Sequence, residues 1–260
     1  MAEVSDTRRL GAYDLISARD LAGPPDPRPG QFYMLATGDR WGGGTGERPY
    51  LPRAFSFARA RPGAGGGADL QFLLEDVGPG TRRLGELAPG DALMLLGLLG
   101  AGFSPPAGGG LALLVGGGIG AAPILALHEE SPSAPVVLGF RSAAHAEAAA
   151  LFGEVAELTT DDGSAGRRAL VTEPMREMLD ANPSATVYAC GPPPMLEAVR
   201  ALCAEREIPA QLALEAGMAC GYGACFGCVV PTKQGYARVC VDGPIFEAAT
   251  LEPSALMSEV

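Results

Sequence analysis

Six cysteines occur in the 260-residue chain, and four of them crowd into positions 220 to 240. Cys220, Cys225 and Cys228 are spaced C-x4-C-x2-C, and Cys240 follows eleven intervening residues later. Thiolates at this spacing are those of a plant-type [2Fe-2S] centre. A loop wrapping such a centre must turn tightly and aim N–H groups at sulfur, which Gly221, Gly223 and Gly227 permit, while Ala219 and Ala224 are small enough to let it close. Zinc is the alternative for four thiolates, but structural zinc sites usually present two separated C-x2-C knuckles. Disulfides are not expected, because the N-terminus MAEVSDTRRL lacks the basic start and apolar stretch of an export signal, which predicts a cytoplasmic protein. Cys203, on a predicted helix after Met195, reads as a small buried side chain.

A second constellation suits a nucleotide. Val115 to Leu125, VGGGIGAAPIL, follows an apolar strand and opens a helix, the context of a phosphate-binding glycine turn built on Gly116, Gly117, Gly118 and Gly120. Gly116, Gly118 and Ala121 fit G-x-G-x-x-A, yet the next strand ends Gly139-Phe140-Arg141-Ser142 without the usual acidic residue, which disfavours a typical Rossmann dehydrogenase. Close helix-strand packing is the alternative reading of these glycines. Cys190-Gly191-Pro192-Pro193-Pro194-Met195 would place Cys190 at the carboxyl edge of a sheet, where ligands bind, or simply bury it before a helix. Thr160-Asp161-Asp162-Gly163 is either a turn or part of the same pocket, and Arg141 hints at a phosphate contact. His128 and His145 have no metal-type spacing and read as surface or helix-end residues.

Nicotinamides exchange two electrons as a hydride, whereas a [2Fe-2S] centre exchanges one, so a chain holding both sites should hold a flavin to split the pair. Arg53-Ala54-Phe55-Ser56 supplies the groups: a guanidinium for a pyrophosphate, an aromatic ring against isoalloxazine or ribityl, and a hydroxyl for the flavin edge. Alone, this tetrad is better read as a strand with one outward Arg and one inward Phe. Leu73-Leu74-Glu75 ends a further strand that leads through Gly78-Pro79-Gly80-Thr81 into a predicted helix, Arg82 to Leu87; glycines opening a helix form an anion site, with Thr81 as an N-cap the plainer alternative.

The elements that must position these residues change character along the chain. Up to residue 104, short apolar segments (Gln31 to Ala36, Ala54 to Ala58, Leu70 to Glu75, Ala92 to Leu96) alternate with Pro and Gly, which predicts a small β-barrel; Arg61 to Ala68, RPGAGGGA, is a loop between strands. From 105 to 208, LALLV, PVVLGF, VAELTT and ATVYAC alternate with helices over Pro123 to Glu130, Ala143 to Phe152 and near Glu173 to Asp180, which predicts a parallel sheet. Residues 209 to 260 form a third, cysteine-bearing module. The chain is thus α+β and multidomain: barrel 1–104, α/β domain 105–208, cluster module 209–260. The uncharged stretch Ala92 to Leu127 is broken by Pro105, Pro106 and the glycines at 108–110 and 116–118, so it reads as strands and a helix start covered on both sides rather than a membrane span. A formal net charge of −11 argues against a nucleic-acid backbone as partner.

Together these segments resemble the ferredoxin-reductase superfamily and, within it, the electron-transfer subunits of NAD-dependent, B-type dihydroorotate dehydrogenases of pyrimidine synthesis. The resemblance spans nearly the whole chain: RAFS and VGPGT as flavin segments, GGGIGAAP and ACGPPPM as nucleotide segments, LEAGMACGYGACFGCVV and VCVDGPIF around the cysteines. Two departures stand out, Gly97-Leu98-Leu99-Gly100 where GPLG is common, and Phe55 in the tetrad. The resemblance implies a ferredoxin-reductase-type FAD barrel, with Arg53 to Ser56, Leu73 to Glu75, Gly80 and Thr81 on FAD. It further implies NAD on the glycine turn and Cys190-Gly191-Pro192, and the cluster on Cys220, Cys225, Cys228 and Cys240. Its function would be to relay electrons from the FMN of a dihydroorotate-oxidising catalytic subunit through the cluster and FAD to NAD⁺, in a heterotetramer of two of each subunit, with no substrate-specific acid or base of its own. Alternatives are a diaphorase-type subunit serving ferredoxin, sulfide or hydrogenase chemistry, and a zinc-stabilised, non-catalytic binding module.

Overall fold

The computed structural model describes residues 1–43, 49–106, 109–153 and 156–256; Gly108 and Val155, part of two expectations above, lie outside them. The first sheet is antiparallel, built from β1 (Ala2–Leu10), β2 (Tyr13–Asp20), β3 (Phe32–Thr37), β4 (Arg53–Ser56), β5 (Arg59–Pro62), β6 (Ala68–Glu75) and β7 (Ala92–Leu99). Its order is β4-β3-β7-β1-β2-β6-β5. The two edge strands, β4 and β5, are separated in sequence only by Phe57 and Ala58, so the sheet must curl until its edges approach without pairing, which makes it an open barrel. Alternation fills the inside: Val4, Ile16, Tyr33, Leu35, Phe72 and Leu74 are buried together. Opposite positions such as Tyr33 and Phe55, or Ile16 and Phe72, hold the register. Helix α1 (Pro79–Gly85) closes one end with Leu84.

The expectation that residues 92–127 are covered on both sides fails for β7. Met94 and Leu96 are exposed, because β7 belongs to the barrel, where one face meets the core and the other meets water. The parallel strands that follow do fit it.

Those strands are β8 (Ala112–Gly117), β9 (Val136–Phe140), β10 (Ala156–Thr160), the short β11 (Arg167–Arg168), β12 (Thr186–Cys190) and β13 (Ala210–Ala213). The sheet order is β11-β10-β9-β8-β12-β13-β16, parallel except for β16 (Ile245–Glu247). Helices α2 (Ala121–Glu130), α4 (Thr172–Ala181) and α5 (Pro193–Glu205) connect it. The chain runs outward from β8 in one direction and from β12 in the other. The β8/β12 boundary is therefore the switch point at whose carboxyl edge a ligand crevice forms.

The single helix expected over Ala143 to Phe152 is instead a short helix, α3 (Ala143–Ala146), followed by a 3-10 segment over Glu147–Leu151. The barrel engages two carbonyls of this segment: Ala12 N–H donates to Ala144 O at 2.8 Å and Arg59 to Leu151 O at 2.8 Å. Arg59 also meets Glu129 of α2 at 2.5 Å, so this side of the molecule ties the two sheets together.

After β13 the chain leaves the sheet, carries the cysteine loop, forms the hairpin β14 (Val229–Thr232) and β15 (Gly235–Arg238), and returns as β16 beside β13. Cys228, Val230, Val239 and Cys240 share one core with Val187 and Leu212 of the sheet. The cysteine loop is therefore anchored at both ends. Among the described residues no helix is long and apolar enough to cross a membrane.

Candidate functional site

Three segments far apart in sequence meet in a cleft of about 440 Å³. From the barrel come all four residues of Arg53 to Ser56, with Leu73; from the switch point come Ile119, Gly120 and Cys190; from the segment leading into the cysteines come Leu214 to Met218. The tetrad lies on an edge strand, so one side of its backbone is free to face a ligand. Arg53 donates to Leu51 O at 2.5 Å, sits 5.9 Å over the Trp41 ring, and fills the space that a Cβ on Gly80 would need, 2.6 Å from its Nε. The guanidinium thus lies against the first turn of α1 with donors to spare. Trp41 Nε1 is buried with no hydrogen-bond partner among the described residues. That cradle fits a pyrophosphate better than an empty surface. Thr81 is not the N-cap: its Oγ1 accepts from the N–H groups of Val77 (2.9 Å) and Gly78 (3.1 Å) from the third helical position.

Cys190 is buried, and that burial, with the Glu215 charge second, holds its thiol far above the usual range, so it is a neutral wall of the cleft. Glu215 lines the same cleft, its carboxyl crowded by protein and raised in pKa, though solvent reaches it through the opening. A Cβ on Gly120 would run into the Cys190 carbonyl, so glycine here lets the start of α2 press against the Cys190-Gly191 turn.

A second cleft, about 510 Å³, opens on the other side of the glycine turn. Gly117, Gly118 and Pro192 line it, with Phe140, Arg141 and Asp161 at the ends of β9 and β10 and Tyr13 and Glu75 from the barrel. Gly118 has φ +55°, and the space its missing side chain leaves faces the Tyr13 hydroxyl at 3.9 Å. That hydroxyl is buried and has no hydrogen-bond partner among the described residues; burial and then the Glu75 charge raise its pKa, keeping it a donor.

The four cysteines fall into two pairs. The Cys220 sulfur sits beside Cys225 and receives the N–H groups of Cys225, Tyr222 and Ala224, which draw its pKa down to about 6. Cys240 lies beside Cys228, its N–H 3.5 Å from the Cys228 sulfur; burial first, then Cys228, raise its pKa to about 11. Gly227 N–H points at the Cys225 sulfur at 3.5 Å. Gly221 and Gly223 adopt φ +79° and +88°, the conformations that turn these N–H groups inward. Two thiol pairs, Cys220 with Cys225 and Cys228 with Cys240, match the two irons of a plant-type cluster, whereas structural zinc sites usually present two separated C-x2-C knuckles.

Several expected residues fall elsewhere. Leu74 points into the barrel core, Gly116 packs beneath Leu138, Gly191 packs on Met195, and Glu75 joins the second cleft rather than the tetrad's. His145 does end a helix, α3, and it also lines the second cleft, with Nε2 2.8 Å from Arg141 and Nδ1 2.9 Å from Ser142 Oγ. His128, in the last turn of α2 as its helix-end reading expects, is buried near Phe152. Sequence reasoning missed Tyr13 and Trp41, which carry no local motif; Ile119 and Leu214 to Met218 lie inside the segments GGGIGAAP and LEAGMACGYGACFGCVV but had no role in a cleft assigned to them.

An antiparallel barrel docked on a switch-point α/β sheet, with the cleft between them, defines the ferredoxin-reductase class of flavoprotein folds. A chain from the structure of NADH-dependent reduced ferredoxin-NADP oxidoreductase superposes with a TM-score of 0.81, covering 99% of this chain and 91% of that one at 24% identity. Residues 215–252 match the iron-sulfur cluster binding domain of dihydroorotate dehydrogenase B. The electron transfer subunit of dihydroorotate dehydrogenase B (NAD(+)) from Caldanaerobacter subterraneus subsp. tengcongensis is 36% identical over 229 residues, 85% of this chain and 86% of that protein. Its counterpart from Geobacillus thermodenitrificans is 44% identical over 251 residues, 91% of each. The chain belongs to this family of dihydroorotate dehydrogenase B electron transfer subunits.

Proposed function

We propose that this chain relays electrons from the FMN of a dihydroorotate-oxidising catalytic subunit through a [2Fe-2S] cluster and FAD to NAD⁺, in a heterotetramer with two copies of each subunit. The observation that carries the reading is the three-way junction: the cleft bearing Arg53 to Ser56 is walled on one side by Gly120 and Cys190 and on the other by Leu214 to Met218, two residues before Cys220. On the same reading the chain divides into a FAD barrel (1–104), an NAD domain (105–208) and a cluster module (209–260), the last lending β13 and β16 to the NAD domain's sheet.

When bound, the flavin exchanges electrons in pairs with nicotinamide and singly with the cluster. The residues of the chain bind, orient and insulate. Arg53, against α1 and Gly80, would hold the flavin pyrophosphate; Phe55 and Ser56 would lie along its ring and edge. Gly118, with the Tyr13 hydroxyl beside it, and the Cys190-Gly191-Pro192 turn would take the nicotinamide nucleotide. Cys190, kept neutral, adds no charge at the junction. The N–H groups of the cysteine loop would hydrogen-bond the ligating sulfurs and tune their potential.

An exposed apolar arc of Tyr222, Phe226, Val229 and Val241 surrounds the exposed Cys225, as a docking face for the catalytic subunit would. Anaerobic co-purification with that subunit tests the reading. One FAD, two irons and two acid-labile sulfides per chain, with dihydroorotate-dependent reduction of NAD⁺, are expected. Zinc without flavin, or NADH oxidation stimulated by ferredoxin and not by the FMN subunit, would overturn it.

A further inference from the structure

We propose that Glu75, contributed by the barrel, decides which nucleotide the second cleft accepts, by engaging Arg141 and excluding a phosphate on the 2′-position of the adenosine ribose. This rests on the reading that the second cleft takes the adenosine half of a nicotinamide dinucleotide.

Arg141 lies immediately beyond the carboxyl end of β9, the strand that follows the glycine turn. In a doubly wound sheet that position faces the adenosine ribose, where a carboxylate selects a 2′-hydroxyl and an arginine accommodates a 2′-phosphate. By sequence alone the chain carries the residue for a phosphate. Arg141 is also the only lysine or arginine lining the cleft among the described residues. The structure reverses the expectation. Glu75, at the end of β6, forms an ion pair with Arg141 across the interface between the two sheets, and its carboxylate is also 3.3 Å from His145 Nε2. Arg141 Nη2 donates to His145 Nε2 at 2.8 Å; guanidinium is donor only, so the proton of a neutral His145 sits on Nδ1, facing Ser142 Oγ at 2.9 Å. Asp161 lines the same cleft.

Two carboxylates and one guanidinium leave this end of the cleft negative. A 2′-phosphate would have to displace Glu75 from Arg141 and then sit among like charges, whereas a 2′-hydroxyl can donate to either carboxylate. Glu75 is the more enclosed partner, with a side-chain exposure of 23% against 67% for Arg141, so the barrel sets the position of the arginine rather than the reverse. Docking of the two domains thus completes the specificity of one of them.

The test is calorimetric titration of the FAD- and cluster-loaded chain with 5′-AMP and with 2′,5′-ADP, which differ only in the 2′-phosphate. Glu75→Gln removes one charge and frees Arg141 with little change of volume. It is expected to shift the ratio of the two dissociation constants at least about tenfold toward 2′,5′-ADP, with most of that gain lost in the Glu75→Gln/Arg141→Ala double variant. Arg141→Ala alone should move the ratio less than about twofold, because the guanidinium is already engaged. An unchanged ratio in Glu75→Gln, an undiminished gain in the double variant, or a large loss of 2′,5′-ADP binding in Arg141→Ala would each overturn the role of Glu75. Failure of 5′-AMP to bind the unaltered chain in competition with NADH would instead overturn the nucleotide reading of the cleft itself.

Discussion

At the scale of single residues, two cysteines in one loop have opposite acidities. Three N–H groups stabilise the thiolate of Cys220, whose pKa falls to about 6, while burial keeps Cys240 a thiol up to about pH 11. The sign is testable in chain prepared without iron. Alkylation of Cys220 by iodoacetamide should rise through pH 6 and level off above pH 7, where the thiolate predominates. Cys240 and the buried Cys203, pushed up to about 12, should stay unmodified at pH 8. Mass spectrometry of the modified peptides reads this directly, and equal labelling of Cys220 and Cys240 at pH 7 would contradict it. The spacing of the four cysteines was legible in sequence; their division into pairs was not, because pairing depends on how Gly221 and Gly223 bend the loop.

At the scale of elements, the junction depends on how closely the start of α2 approaches the end of β12. Gly120 permits it, since a Cβ there would strike the Cys190 carbonyl, a backbone atom with no rotamer to yield. Gly120→Ala should therefore cost about 2–3 kcal/mol of stability, seen as a lower urea midpoint at unchanged slope, and should loosen nucleotide binding as the turn is pushed away. A midpoint equal to that of the unaltered chain would show the turn to be free to shift. The glycine cluster was visible in sequence as G-x-G-x-x-A, but which glycine does what was not. Gly116 serves packing, Gly118 faces the cleft beside Tyr13, and Gly120 touches the neighbouring strand. The break after α3 had no local signal either, because it comes from Ala12 and Arg59 of the barrel taking carbonyls of an alanine-rich segment.

At the scale of the whole molecule, the cysteine module shares its core with the nucleotide sheet, and its outer surface carries the apolar arc around Cys225. Phe226 stands in the arc at φ +57°, its ring 5.1 Å from the Arg238 guanidinium. Aspartate tolerates that backbone conformation, so Phe226→Asp tests the surface without confounding the fold. The variant should keep its visible spectrum and its reduction by NADH, yet lose co-elution with the catalytic subunit; an intact complex on size exclusion would move the docking face elsewhere.

The sequence by itself carried the local patterns: four thiols at a plant-type spacing, a glycine turn after an apolar strand, and a tetrad that reads as a flavin segment only beside the other two. These are short-range patterns, and each is set by what a few consecutive residues can bond. Only the tertiary structure decided which of them face one another. It brought Leu214 to Met218 against Arg53 to Ser56, removed Leu74 to the core, and carried Glu75 from the flavin side to Arg141. The physical reason is that a strand's alternation says which residues lie on one face, whereas the neighbour across that face is chosen by the packing of whole sheets.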